Sequence, residues 1–127
     1  MKIPPSRLEA HRGASGAYPE NTMLAFAKAR EAGALSIETD LSLLADGGFA
    51  VFHDSALGRT VAGDASLDSL TSAEIGTMDA GAWRGREFAG ETVPLFEDLF
   101  HWQEVAARLG LEALNLDKDI VTPRMVE

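Results

Sequence analysis

Leu35-Ser36-Ile37-Glu38-Thr39-Asp40 is the stretch that decides how this chain is read. Apolar and polar residues alternate through it, which is the period of a β-strand. Glu38 and Asp40 stand two apart, so both side chains leave the same face, roughly 7 Å from each other along the strand. Two carboxylates converging at a strand end repel unless a proton or a cation lies between them. Hard divalent ions such as Mg²⁺ or Ca²⁺ take oxygen ligands and suit that arrangement. The plainer alternative is a pair of exposed strand-end acids.

Upstream, Asn21 is placed as the N-cap of a helix over 22–32, with Met23, Phe26, Ala27 and Arg30 on one face and Gly33 at the left-handed stop. A short strand, 8–11, precedes it and runs into a glycine turn at Gly13 and Gly16. Downstream, Asp46-Gly47-Gly48 reads as a turn and 49–53 as a second strand of high β-propensity. The segment 54–92 is rich in Gly, Ser, Asp and Ala and reads as an excursion from the scaffold. Its one short helix opens on Thr71-Ser72-Ala73-Glu74, a capping-box pattern. Pro94 then precedes an amphipathic helix carrying Phe96, Leu99, Phe100, Ala106 and Leu109; Gly110 stops it, and 113–117 reads as a further strand.

Strand, helix, strand, strand, excursion, helix, strand is mostly α/β order and favours a parallel sheet. Sites in such sheets gather at the C-terminal ends of strands. His11, the pair Glu38 and Asp40, His53 and Asp117 all fall at or near such ends.

With 127 residues, the chain suits one domain. Its 46% apolar and 24% charged residues argue for a folded core and against disorder. No apolar run approaches the roughly 18 to 20 residues that span a bilayer. No basic patch followed by an apolar stretch stands at the N-terminus, so a cytoplasmic location is expected. The absence of cysteine excludes disulfides, thiolate metal sites and thiol nucleophiles. A net charge of -9 makes nucleic acid and anionic membrane surfaces poor partners. An anionic small molecule needs a local cation to bind.

His11 and His53 are two of three histidines. A facing pair of imidazoles can act as base and acid in turn near neutral pH; the bland alternative is two histidines bonded to backbone. Arg12 offers forked donors to a phosphate, though a surface arginine is the commoner case. Asn115 and Asp117 share a face, so Asp117 can add a third oxygen. His101, mid-helix beside Trp102, reads as surface or packing.

Taken together these residues resemble a known family. His11-Arg12-Gly13, Pro19-Glu20-Asn21-Thr22 with Phe26, Gly33-Ala34, Ile37-Glu38-Thr39-Asp40, Asp46-Gly47 and Val51-Phe52-His53-Asp54 follow in order. Leu57, Arg59-Thr60, Gly63, Leu70-Thr71, Glu74, Asp79-Ala80-Gly81, Phe88, Gly90-Glu91, Val93-Pro94 and Glu97 continue the run. The pattern is similar to that of the glycerophosphodiester phosphodiesterases, from about residue 8 to 116.

The resemblance implies an α/β fold: a partial TIM (β/α)8-type barrel, first four strands only, with 54–92 as a small insertion after the third strand, all in one domain over 1–127. It implies metal-dependent hydrolysis of glycerophosphodiesters to glycerol 3-phosphate and an alcohol. By position, His11 and His53 are the acid–base pair, Arg12 a phosphate contact, and Glu38 and Asp40 metal ligands for Mg²⁺ or Ca²⁺. Asp117 takes the place of the family's third acidic ligand. Where the family reads Asn-hydrophobic-Glu-hydrophobic-Lys, this chain reads Asn115-Leu116-Asp117-Lys118-Asp119, so Lys118 comes one place early and points off the Asp117 face.

A full barrel takes about 250 residues, which suggests a reading frame truncated or shifted near Leu116. Little or no turnover by the isolated monomer is then expected, and open sheet edges favour self-association. Two further readings follow: a catalytically impaired binding or assembly module, and a related barrel phospholipase whose specificity is shaped by Trp83 and Phe88.

Overall fold

The computed structural model describes residues 9–99, residue 101 and the backbone of 113–116. Three strands form a parallel sheet in the order β1 (Glu9–His11), β2 (Ser36–Thr39), β5 (Ala113–Leu116). The register sets His11 opposite Glu38, and Asn115 opposite Glu38 on the other side, so all three strands end at one rim.

The crossover from β1 to β2 runs through α1 (Met23–Glu31). Thr22, not Asn21, caps it: Thr22 is extended (φ -115°, ψ 156°) and its Oγ1 accepts the Ala25 N–H at 3.2 Å. Asn21 instead sits in the left-handed region at φ 53°, where its short polar side chain is tolerated. The helix buries Ala25, Phe26 and Ala29. Phe26 packs with Ile37, Leu41, Val51 and Leu99 in the core beneath the sheet.

The strand expected over 49–53 is not a barrel strand. β3 (Leu41–Leu43) follows β2 after one residue and pairs antiparallel with β4 (Phe49–Val51) as a separate two-stranded ribbon. The reason is chain length. Only 44–48 lie between the two strands, whereas a parallel neighbour needs a crossover of about a dozen residues or more. Gly47, at φ 84°, makes the turn. Among the described residues the parallel strands are therefore three, where four were expected, and β5 directly neighbours β2.

The ribbon separates two cores. Val51 and Leu41 face the α1 core, while Ala50 and Phe52 face a second cluster with Val61, Leu67, Leu70, Ile75, Ala80 and Val93. This explains the unbroken apolar run Phe49-Ala50-Val51-Phe52, since a strand covered on both faces needs no polar alternation.

The 54–92 segment thus carries apolar packing of its own around 3₁₀ turns and the short helix α2 (Ser72–Ile75), whose Thr71–Glu74 capping box forms as the sequence suggests. Its two ends meet β4: Phe52 precedes it, and the Val51 N–H donates to the Pro94 carbonyl at 2.8 Å beyond it. Residues 96–99 are helical, as expected after Pro94. No helix among the described residues is long and apolar enough to cross a membrane.

Candidate active site

The rim is assembled by backbone bonds before any side chain matters. The Arg12 N–H donates to the Glu38 carbonyl at 2.8 Å, fixing the end of β1 on β2. The Asn21 N–H donates to the Arg12 carbonyl at 2.9 Å, which folds the start of α1 over the same point. The Phe52 N–H donates to the Asp40 carbonyl at 3.1 Å, so the antiparallel ribbon returns His53 to the end of β2. His53 reaches the rim by a hairpin, not by a parallel strand.

The side chains fall into three connected groups. His11 Nε2 stands 3.3 Å from Glu38 Oε2, with the imidazole 68% exposed. Asp40, only 2% exposed at its side chain, lies 3.4 Å from Arg12 Nε. It also accepts from Asn21 Nδ2 at 3.1 Å. The Thr39 hydroxyl donates to Asn21 Oδ1 at 2.7 Å, which fixes which end of that amide faces the carboxylate.

Two residues given no catalytic role in the sequence reading, Glu20 and Arg59, bind the third group together. Arg59 donates to both oxygens of Glu20, at 2.7 and 2.8 Å, and to both oxygens of Asp54, at 2.8 and 3.1 Å. Asp54 in turn lies 2.7 Å from His53 Nδ1. Glu20 also takes a bond from Arg12 at 3.2 Å, which joins this group to Asp40. The only sequence signal for the pair was its presence in the family pattern, because 39 positions separate the partners.

Electrostatics follow the contacts. Burial works to raise the Glu20 carboxyl, but Arg59 and Arg12 outweigh it and hold it below the ordinary carboxylate value. Arg59 lowers Asp54 against a smaller opposing effect of burial, with His53 adding to the pull. Arg59 itself is raised by its two carboxylate partners. Against Arg12 and Arg59 stand Glu20, Glu38, Asp40 and Asp54, so the rim carries an excess of two negative charges while both imidazoles are neutral.

His11, Arg12, Glu38, Asp40 and His53 therefore share one rim. Asp117 and Lys118 lie outside the described residues. Glu38 and Asp40 supply the hard oxygen donors that a divalent cation takes, although among the described residues no three histidine, aspartate or glutamate side chains are grouped to hold a metal ion. Beside the histidine, a shallow cleft of about 200 Å³, including space open to solvent, is lined by Glu20, Asn21, Phe52, His53, Thr60 and Ala80. Of the two aromatic residues proposed to shape specificity, Phe88 packs edge-on against Tyr18 at 5.7 Å. Trp83 remains 43% exposed and donates its indole N–H to the Ala80 carbonyl.

Known proteins resemble this chain in sequence and in fold. A glycerophosphodiester phosphodiesterase of Caldanaerobacter subterraneus is 44% identical over 91 residues, covering 72% of this chain and 37% of its own length. A phosphodiesterase of Oleispira antarctica, solved with the product sn-glycerol-3-phosphate, superposes with a TM-score of 0.76 at 37% identity, over 86% of this chain and 43% of that one. The glycerophosphodiester phosphodiesterase of Agrobacterium tumefaciens gives 0.74 at 31% identity, over 92% and 58%. The chain spans about two fifths of the length of the curated relatives it matches. The profile of the Glycerophosphoryl diester phosphodiesterase family matches residues 11–125, nearly the whole sequence, and the chain belongs to that family.

Proposed function

We propose that this chain carries the rim residues for hydrolysis of glycerophosphodiesters to glycerol 3-phosphate and an alcohol. The observation that supports the reading is the convergence of two histidines, two carboxylates and Arg12 at the C-terminal edge of β1 and β2. The solved relative bound to sn-glycerol-3-phosphate supports the substrate class.

In this reading one imidazole takes the proton of the attacking oxygen, which belongs to water or to the glycerol's neighbouring hydroxyl. The other donates a proton to the departing alkoxide. Such proton transfers contribute typically 10²- to 10⁴-fold. Arg12 orients the phosphate with the guanidinium donors not turned to Glu20 and Asp40. Glu38 and Asp40 are the proposed ligands of a divalent cation, with Asp117 as the proposed third. Bound there, the cation would offset the two excess negative charges and polarise the phosphoryl oxygen.

The test is release of glycerol 3-phosphate from glycerophosphocholine with Mg²⁺ or Ca²⁺. Release that disappears in His11→Ala and His53→Ala supports the reading; release that persists in both variants overturns it. A second reading, assembly through sheet edges, is favoured by β1, which ends the three-stranded sheet among the described residues. Light scattering showing only monomer removes it.

A further inference from the structure

His53 is not a lone imidazole: its Nδ1 meets a carboxylate that is itself clamped. We propose that Asp54, locked by Arg59 against Glu20, is a positioning residue that fixes His53 with Nδ1 protonated and Nε2 bare. The proposal rests on the reading of His53 as an acid–base group and names the nitrogen that reacts.

An ionised carboxylate only accepts. Asp54 takes Arg59 Nε on Oδ2 at 2.8 Å and an Arg59 terminal nitrogen on Oδ1 at 3.1 Å, so both of its oxygens are committed to a permanent cation. Arg59, a permanent cation on both oxygens, holds the Asp54 carboxyl below its ordinary range, so the group is ionised and can only accept. At 2.7 Å from Oδ1, His53 Nδ1 therefore has to be the donor. A neutral imidazole carries one hydrogen, which leaves Nε2 as the lone-pair nitrogen. The ring is 41% exposed, and the Asp54 contact orients it.

The clamp also has a reason to be rigid. Arg59 holds two carboxylates with a planar fork, and Glu20 is tied through Arg12 to the buried Asp40. The direction of the His53 ring is thus referred back to the end of β2. A lysine in place of Arg59 would keep the charge and lose the fork. His11 has a different partner, Glu38, so the two histidines are held by separate devices.

The test is ¹⁵N NMR of the full chain labelled at histidine, read at alkaline pH, where imidazole is neutral. Expected is a pyrrole-type Nδ1 and a pyridine-type Nε2 for His53. In Asp54→Ala the Nδ1–H preference is lost, and in Arg59→Lys it is weakened, with circular dichroism showing both variants folded. Glycerophosphocholine turnover should fall on the order of 10- to 100-fold in kcat for Asp54→Ala, with KM little changed. A pyridine-type Nδ1 in the unsubstituted chain overturns the proposal, as does an unchanged tautomer in Asp54→Ala. If diester hydrolysis persists in His53→Ala while the tautomer pattern holds, the phosphodiesterase reading fails and the Asp54 assignment stands.

Discussion

Asn21 holds Asp40 from a backbone conformation few residues accept: its Nδ2 lies 3.1 Å from Asp40 Oδ2 while its own φ is 53°. One residue thus joins the start of the helix, the Thr39 hydroxyl and a nearly dry carboxylate. Replacing it separates the two effects. Asn21→Ala leaves Thr39 and Asp40 short of a partner and keeps the left-handed penalty, at about 2–4 kcal/mol in all. Asn21→Gly loses the same bonds without the penalty, so it should be more stable than Asn21→Ala by about 1 kcal/mol. Urea unfolding of the two variants measures the difference.

Gly13 is a stricter requirement. Its φ is 83°, and a Cβ there would stand 2.8 Å from the Ala25 carbonyl carbon and Cβ on α1. The strain is against helix backbone, which cannot rotate away. Gly13→Ala should cost more than about 2 kcal/mol. A thermal melt lowered by only a degree or two would show that the β1–α1 turn can open to admit a side chain.

Acid should dissolve the rim from its edges. Arg59 lowers Asp54, and Arg59 with Arg12 overcomes burial to lower Glu20, so both folded pKa values lie below the unfolded ones of about 3.8 and 4.5. The unfolded chain then binds more protons in that region, and stability rises with pH there. The contribution is present above about pH 4.5 and is lost as pH falls through the folded values. Asp46, Glu74 and Asp79, each lowered chiefly by backbone N–H groups, add in the same direction. Urea midpoints should be level from pH 7 to about 5 and drop below pH 4.5, and Arg59→Ala should flatten the drop.

Phe26 tests the core that carries β2. It is fully buried and packs against Ile37, Leu41 and Val51. Phe26→Ala should lose about 3–5 kcal/mol. The 54–92 packing draws on a different cluster, so amide exchange in 61–80 should respond less than exchange in 36–41.

Much of this was legible in the residues. Alternation marked β2, the capping box at Thr71 and Glu74 formed, and Gly33 ends α1 at φ 96° as expected. The helix start was misplaced by one residue because Asn and Thr are both good caps, and only the tertiary bond to Asp40 commits Asn21 elsewhere. The direction of β4 was readable from the five-residue connection, but its unbroken apolar run looks like a parallel strand. His11, Arg12, Glu38, Asp40 and His53 were singled out as candidates from strand ends and family pattern. The Arg59 clamp was not, because a bond across 39 positions leaves no local periodicity.

Both ends of the 54–92 segment stand on one strand, with His53 following Phe52 on one side and Pro94 bonded to Val51 on the other. A loop whose two feet share a foothold can lengthen at little entropic cost, since closure grows only slowly with residue number. A change in its length can therefore be absorbed there, altering what surrounds the cleft without moving the imidazole that lines it.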